Sequence, residues 1–238
     1  MIVKFDLKGV QEVFDMELDP IDDVRTNDMY QVIDLLSSIV GKDDTFIDCG
    51  AHIGFVSVPV ILRGKPKLAI AVEPNPGLAA YLKINLKRNI ISPYVIETKP
   101  LWSKADKEVQ FILCGAQSSV IDRGQSQADG KLKLKTITID SLVQKHKITG
   151  PIVLKIDVEL AEPQVLAGAF KSMKQIKAMI VEALPNVMIM NEHIDLDGYL
   201  ERYRNWGFIV TDLYGNSVSK QSLLNQHKTD LLIQRKHE

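Results

Sequence analysis

Three acidic residues stand where predicted strands end beside a tight turn, and their types and positions point to a ligand site. They are Asp48, Glu73 and Asp157, in the segments TFIDCGAHIG (45–54), LAIAVEPNP (68–76) and VLKIDVELAE (153–162). Ligands of a doubly wound sheet bind at the carboxyl ends of its strands, so these carboxylates are expected to border one crevice. This arrangement is typical of a site for a nucleotide-like cofactor.

The first of these segments carries glycines where a ligand or a helix would come close. Gly50 lets the backbone approach a ligand, and Gly54 lets the next helix pack closely. The N-terminal amides of that helix favour a carboxylate group of a ligand. Asp48 can accept hydrogen bonds from an ammonium group, and Glu73 can accept both hydroxyls of a ribose. The dinucleotide pattern G-x-G-x-x-G is absent, so a pyrophosphate cofactor is less favoured than S-adenosylmethionine, which has an amino-acid end and a nucleoside end.

Alternating strand and helix patterns position these residues. Strands are predicted near 44–49, 68–73, 93–98, 152–157 and 177–182, and helices near 27–40, 53–63, 76–89, 163–171 and 196–206. The helix at 76–89 opens with Asn75 as its cap and Pro76 in its first turn. Two final strands, 208–214 and 231–235, follow without a convincing long helix between them, which predicts antiparallel pairing. The pattern indicates an α/β fold with a mostly parallel seven-stranded sheet, an antiparallel last strand and right-handed crossovers.

Two segments fall outside this alternation. The opening residues alternate apolar and polar side chains and predict a hairpin extension over 1–26, with its turn near Gly9. Residues 106–139 hold the strand patterns EVQFILC and KLKLKTITI on either side of a polar, glycine-rich stretch, which predicts an inserted β-hairpin. Its loop at 115–131 either closes over a substrate or is a plain flexible turn. No linker divides the chain, so one domain over 1–238 is expected.

Composition narrows the classes of partner. The 238 residues are 45% hydrophobic and 25% charged with a net charge of -1, which suffices for one core and gives no overall attraction to nucleic acid or anionic membrane. Cys49 and Cys114 form neither a disulfide framework nor a metal motif. No signal-peptide or membrane-spanning pattern is present, so a cytoplasmic protein acting on a small molecule is expected.

The motifs FIDCGAHIG, AVEPNP, TITIDSL, VLKIDVELAEPQVLAGA and IVEA, in this order, resemble the FkbM-type family of class I S-adenosylmethionine-dependent methyltransferases. The resemblance covers roughly residues 27–235 and implies a Rossmann-like fold and S-adenosylmethionine as cofactor. Three positions depart from the family pattern. His52 stands where members usually carry asparagine, Leu160 replaces the glycine of DVEGAE, and Pro59 interrupts the first helix.

The resemblance also implies which residues hold the cofactor. Around its methionine end are Asp48, Gly50 and Gly54, with His52 at the same end; Glu73 falls on the ribose and Asn75 near the adenine edge. Leu101 or Trp102 is expected to flank the adenine ring. The alternative for Trp102 is a packing position under the inserted hairpin, since aromatic residues are usually buried for their area.

Methyl transfer from a sulfonium is an in-line displacement, so the protein mainly aligns the acceptor and takes up its proton. The candidate bases at adjacent strand ends are Asp157, Glu159 and Glu182, with His193 as a neighbour on a following loop or helix. The same three carboxylates offer hard oxygen ligands to a divalent cation, but their spacing does not require one. Capping of the following helix is an equally good role for Glu159.

Many members of the resembled family methylate hydroxyl groups on sugars or polyketides, so the expected reaction is O-methylation of a hydroxyl on a small molecule or carbohydrate. One alternative is a cofactor-binding protein without transfer activity, if Leu160 blocks the acceptor pocket. A second is a nicotinamide-dependent oxidoreductase, which would also place Glu73 on a ribose. A nucleic-acid acceptor is not expected, because the Asn/Asp-Pro-Pro-aromatic run of adenine methyltransferases is absent after the 152–157 strand.

Overall fold

The structure is a computed structural model that describes residues 2–6, 13–17, 27–120, 130–192 and 195–236. Its strands are β1 (Ile2–Asp6), β2 (Val13–Glu17), β3 (Thr45–Cys49), β4 (Leu68–Val72), β5 (Tyr94–Glu97), β6 (Glu108–Leu113), β7 (Gly130–Lys135), β8 (Ile152–Ile156), β9 (Ile176–Ala183), β10 (Phe208–Asp212) and β11 (Thr229–Arg235). Its α-helices are α1 (Asn27–Ile39), α2 (Ser57–Gly64), α3 (Pro76–Asn89), α4 (Ile139–Lys145), α5 (Glu162–Ala167), α6 (Pro185–Glu192), α7 (Leu196–Asn205) and α8 (Lys220–Leu224).

A seven-stranded sheet forms the centre of the protein, in the order β10-β11-β9-β8-β3-β4-β5. β11 runs antiparallel to both of its neighbours, and the other strand pairs are parallel. The predicted mostly parallel sheet with an antiparallel last strand is therefore confirmed. The chain starts the sheet at β3, builds outward to β5, and then returns to place β8 on the other side of β3. Such a switch point opens a crevice at the carboxyl ends of β3 and β8.

Alternate residues of the central strands face two separate cores. On β8, Ile152, Leu154 and Ile156 pack into the core that contains residues of α4, α5 and α7, whereas Val153 packs into the core formed with α1, α2 and α3. Every residue of β3 and of β8 is buried. The sheet is therefore covered by helices on both faces, and Lys155 is a charged residue in an otherwise apolar buried strand.

Two hairpins lie outside the central sheet, as predicted: β1 pairs with β2, and β6 pairs with β7. The predicted extension of the second hairpin through the sequence TITI is wrong. β7 ends at Lys135, and the hydroxyl of Thr138 accepts a hydrogen bond from the amide of Ser141 at 3.0 Å, which caps α4. Threonine at this position satisfies an orphan amide of the first helical turn, so the β-branched run ends in a helix.

Helices differ from the predictions at α2, α5 and α6, and α5 ends at Ala167 rather than near residue 171. α2 begins at Ser57 rather than near residue 53, and Pro59 lies in its first turn, where the missing amide would have no helical partner. α6 was not predicted, because its consecutive apolar residues show no helical period. α8 has only five residues, which agrees with the predicted lack of a long helix between the last two strands. The predicted turn near Gly9, residues 121–129 of the predicted loop and His193 lie outside the described residues. Within the described part of the chain, none of the helices has the length and apolarity that crossing a bilayer requires.

Candidate functional site

A cleft lies at the carboxyl ends of β3, β4 and β8, where the sheet order reverses. It contains about 970 Å³ of space, counting the part open to solvent. The predicted site residues that line it are Gly50, His52, Glu73, Asp157 and Glu159. The predicted site residues outside its lining are Asp48, Gly54, Asn75, Trp102 and Glu182. The structure thus brings together carboxylates from the segments after β4 and after β8 in one space.

The loop after β3 turns back through three residues with left-handed backbone. The φ angles are 83° at Gly50, 53° at His52 and 92° at Gly54. The amides of Gly50 and Ala51 both donate to the carbonyl of Val72, at 3.0 and 2.9 Å, which ties the loop to the end of β4. Histidine and asparagine are both enriched in this backbone region relative to other non-glycine residues. His52 therefore keeps the loop conformation that an asparagine would adopt.

Close approaches inside the protein explain both glycines of this loop. A Cβ atom on Gly50 would lie 1.8 Å from the carbonyl oxygen of Asp157, which belongs to the segment after β8. A Cβ atom on Gly54 would lie 2.9 Å from the side chain of Leu82 on α3. The absence of a side chain at position 50 thus lets the ends of β3 and β8 meet beside the cleft.

Replacing Gly50 with alanine should lower the free energy of unfolding by more than about 3 kcal/mol or prevent folding, because the Asp157 carbonyl is backbone and cannot move aside cheaply. Gly215→Ala is the matched control: its φ is 85°, but nothing lies within 4 Å of the added Cβ. It should lose only about 1 kcal/mol, the cost of the left-handed backbone. Chemical denaturation compares the two variants, and equal losses would contradict the close approach.

Glu73 holds the two loops that border the cleft. Its Oε2 accepts from the amide of His52 at 2.9 Å, and its Oε1 accepts from the amide of Asn75 at 2.8 Å. The residue is 5% exposed, and this burial raises the pKa of Glu73 to about 7. The hydrogen bonds from the two amides lower the pKa and offset only part of this rise. Its carboxyl group therefore titrates near neutral pH at the wall of the cleft.

Asn75 acts on the helix that follows Glu73. Its Oδ1 accepts from the amides of Gly77 and Leu78, at 2.9 and 3.4 Å, and so caps α3 as the sequence predicted. Its Nδ2 donates to the hydroxyl of Ser118 at 3.1 Å. Asn75 therefore links the end of β4 to the segment that follows β6.

The apolar wall of the cleft is formed by Leu101 and by residues of neighbouring elements, including Leu78 and Phe111. Trp102 points elsewhere: the ammonium of Lys107 lies 5.2 Å from its ring centroid. Of the two residues expected to flank an adenine, Leu101 reaches the cleft and Trp102 does not. Phe111, on the hairpin strand β6, was not among the predicted site residues, because nothing in its local pattern indicates that the hairpin packs against the cleft.

Lys155 lines the cleft and joins two carboxylates there, Asp157 in the lining and Asp48 behind it. It is 8% exposed, and its Nζ lies 3.1 Å from Oδ2 of Asp157 and 3.7 Å from Oδ1 of Asp48. It also donates to the carbonyl of Gly50 at 3.1 Å. Asp48 itself is 1% exposed and accepts from the hydroxyl of Ser57 at 2.5 Å. Asp48 therefore pairs with protein groups under the floor of the cleft.

The pKa values of this cluster follow from burial and pairing. Burial raises the pKa of Asp48, and Lys155 only partly offsets this effect. Burial also tends to raise the pKa of Asp157, but the ammonium groups of Lys155 and Lys228 hold that pKa below its usual value. Burial and the neighbouring Asp157 raise the pKa of Glu182 to about 9, against the effect of its ion pair with Lys228. Of these carboxyl groups, Asp157 is the one that most strongly favours the ionised form.

The segment after β8 is held in an unusual backbone conformation. Glu159 and Leu160 have φ angles of 57° and 77°, in the region that favours glycine. Oε1 of Glu162 accepts from the amides of Val158 and Leu160 at 3.0 and 3.2 Å, and burial raises the pKa of Glu162 to about 8. Leu160 is 2% exposed and does not line the cleft. Its side chain therefore does not fill the space beside Asp157.

The segment that follows β6 contacts both sides of the cleft. Ser118 receives the hydrogen bond from Asn75, and the hydroxyl of Ser119 donates to the carbonyl of Glu159 at 2.6 Å. Ser118 and Val120 also line the cleft. The described part of the predicted 115–131 loop thus lies against the segments after β4 and after β8.

Lys155 and Lys228 are site residues that the sequence reasoning missed. Lys155 could have been identified from the sequence, because it is a charged residue inside a strand pattern that is otherwise apolar. Lys228 could not have been identified in this way. It precedes β11, and only the pairing of β11 with β9 brings it to Glu182.

Comparisons with known proteins agree with this architecture. Residues 48–210 match the family described as the methyltransferase FkbM domain. The hexuronic acid methyltransferase AglP of Haloferax volcanii is 29% identical over 181 residues, which are 75% of this chain and 69% of AglP.

Two solved structures share the fold. The precorrin-6y C5,15-methyltransferase of Geobacter metallireducens has a TM-score of 0.51 at 10% identity, over 93% of this chain and 95% of its own. SMU.1697c of Streptococcus mutans, solved in complex with S-adenosylhomocysteine, also has a TM-score of 0.51 at 10% identity, over 90% of this chain and 100% of its own. Because the family match covers most of the chain and the fold agrees with it, the chain belongs to the FkbM family of methyltransferases.

Proposed function

We propose that this protein transfers the methyl group of S-adenosylmethionine to a hydroxyl oxygen of a small molecule, most specifically a sugar. The observation that carries the proposal is that Glu73 and the carboxylates of Asp157 and Glu159 line one cleft. Glu73 suits the ribose of the cofactor, and Asp157 and Glu159 suit the acceptor. The sugar class is supported by AglP, whose described acceptor is a hexuronic acid.

The residues of the cleft fit S-adenosylmethionine. Glu73 is a buried carboxylate with hydrogen-bonding capacity left on both oxygens for the ribose hydroxyls. Leu101 and Phe111 give an apolar wall of the kind that an adenine ring needs. The loop at 50–54, turned back by its left-handed residues, is assigned to the methionine end, with Asp48 acting through Lys155 rather than by contact.

Asp157 is the proposed proton acceptor. Glu73 and the loop at 50–54 would hold the cofactor, which when bound would supply a methyl group on a sulfonium; its carbon would bond to the acceptor oxygen as its bond to sulfur breaks, leaving a thioether. The hydroxyl proton passes to a carboxylate of the protein. Asp157 lines the cleft and favours the ionised form because Lys155 pairs with it. Glu182 is 2% exposed and outside the lining, so it is assigned to the support of Asp157.

The affinity for S-adenosylmethionine should depend on pH through Glu73. The ribose hydroxyls donate to the ionised carboxylate, and the pKa of Glu73 in the free protein is about 7. Affinity should therefore be nearly constant above pH 7 and fall as pH decreases below it, by up to about tenfold per pH unit for one competing proton. Calorimetric titration between pH 5.5 and 8.5 measures this profile.

Glu73→Gln is the control for this prediction, because the amide keeps the size of the side chain and does not titrate in this range. Its affinity should be weaker than that of the unmodified protein at high pH and nearly independent of pH. A profile with the same slope in both proteins would assign the titration to another group.

The proposed reaction is tested with radiolabelled S-adenosylmethionine and a panel of free and alkyl-glycoside hexoses and hexuronic acids. Label in a product that survives mild alkali is an ether on a hydroxyl and supports the proposal. Label released by alkali is an ester on a carboxyl group and contradicts hydroxyl methylation. Asp157→Asn is the control that separates enzymatic from spontaneous transfer.

A further inference from the structure

Three carboxylates meet beside the cleft. Asp157, Glu159 and Glu182, which we call the acidic triad, each place an oxygen atom within 4.8 Å of the oxygens of the other two. Glu182 is 2% exposed, so its charge is expensive to bury without a cation. Hard oxygen ligands at this separation are what a divalent cation takes in other proteins. The acidic triad by itself does not identify the cation that neutralises it.

A cation of the protein already lies at the acidic triad. The ammonium of Lys228 contacts Oε1 of Glu182. Lys228 also lines the cleft together with Asp157 and Glu159, and its charge lowers the pKa of Asp157. Lys155 supplies a second positive charge, 3.1 Å from Asp157.

We propose that the ammonium of Lys228 takes the place of a divalent cation at the acidic triad, so that the protein positions its acceptor without a metal. Lys228 is in this account a positioning residue: its ammonium contacts Glu182, and its charge helps to keep Asp157, which lines the cleft, in the ionised form. The inference deepens the proposed function, because the acidic triad includes the carboxylate assigned to the acceptor proton. Its binding test does not require methyl transfer.

The position of Lys228 in the fold makes this replacement feasible. Lys228 directly precedes β11, and the register of β11 with β9 sets Asp230 opposite Glu182. The long lysine side chain is 57% exposed along its length while its ammonium reaches a carboxyl that is 1% exposed. A side chain of this kind covers apolar surface with its stem and brings one point charge to the carboxylate.

The test compares manganese binding by the unmodified protein and by Lys228→Met, measured from the loss of the free Mn²⁺ signal in electron paramagnetic resonance. The variant should bind Mn²⁺ at least about 100-fold more tightly, because a positive charge a few ångströms from the cation no longer repels it. Lys228→Arg keeps the charge and should behave as the unmodified protein does. Lys228→Gln is a second neutral variant in case the methionine variant does not fold.

Two further variants locate the binding. Lys228→Met combined with Glu182→Gln should lose the gained affinity. Lys220→Met removes an exposed lysine that pairs with Asp197 at 3.4 Å and should gain no affinity. Tight Mn²⁺ binding by the unmodified protein that Glu182→Gln abolishes would overturn the inference, as would Lys228→Met with no gain at any pH up to 9.

The activity arm separates this inference from the proposed function. Transfer by the unmodified protein should change less than twofold when a chelator is added. Loss of transfer on chelation, restored by Mg²⁺, would overturn the inference and leave the methyl-transfer proposal standing. Absence of transfer to every acceptor would count against the proposed function, while the Mn²⁺ comparison would still decide the role of Lys228.

Discussion

Replacing Lys155 with methionine should lower the free energy of unfolding by about 3–5 kcal/mol, because it leaves a buried carboxylate without its cation. Asp48 is 1% exposed, and the ammonium of Lys155 lies 3.7 Å from it. Methionine fills much of the same volume, so the loss comes mainly from the unpaired charge and from the lost hydrogen bond to the carbonyl of Gly50. Chemical denaturation followed by circular dichroism measures the change.

The double variant Lys155→Met with Asp48→Asn identifies the cause. It should recover part of the lost stability, since the amide removes the unpaired charge while keeping the shape of the side chain. Lys133→Met is the surface control: its pair with Glu108 is 3.7 Å long and both side chains are mostly exposed, so the loss should stay within about 0.5 kcal/mol. Losses below about 1 kcal/mol for Lys155→Met would show that this pairing does not hold the site together.

Replacing Asp157 with asparagine should lower kcat by about 10²–10⁴-fold, the usual contribution of a positioned general base. The affinity for S-adenosylmethionine should change little, because Glu73 and the 50–54 loop are assigned to the cofactor. The measurement combines initial rates on an acceptor found in the sugar panel with a calorimetric Kd for the cofactor. Asp106→Asn, at an exposed site 3.8 Å from Lys99, should leave both unchanged.

Glu159→Gln and Glu182→Gln distinguish the members of the acidic triad. Each should reduce kcat less than Asp157→Asn does, since Glu182 lies outside the lining of the cleft and Glu159 is assigned to acceptor contact. A large loss for Glu182→Gln together with nearly full activity for Asp157→Asn would contradict the assignment of the base to Asp157.

Local patterns were sufficient for the parts of the fold that depend on local chemistry. Buried strands with apolar runs, the Asn75 cap with Pro76 behind it, and the polar break after β6 all have signals within a few residues. The placement of Glu73 at the cleft also followed from the sequence, because a strand end in a parallel sheet fixes which edge a residue reaches.

The pairing of charges could not be read from the sequence. Asp48 forms an ion pair with Lys155, and Glu182 forms one with Lys228. The partners lie on or beside strands that only the sheet order brings together. The position of Trp102 also depends on packing that the sequence does not reveal. An aromatic residue after a strand looked suitable for a ring contact, but the packing of the 102–107 segment turns it toward Lys107.

The central claim, that this cleft binds S-adenosylmethionine through Glu73, is tested most directly by calorimetric titration of S-adenosylmethionine and of NAD into the unmodified protein and into Glu73→Ala. We expect S-adenosylmethionine alone to bind, and its affinity to fall about 10- to 100-fold in the variant, as loss of hydrogen bonds to a charged group implies. Circular dichroism confirms that the variant is folded. No binding of S-adenosylmethionine to the folded unmodified protein, or equal affinity in Glu73→Ala, would contradict the claim.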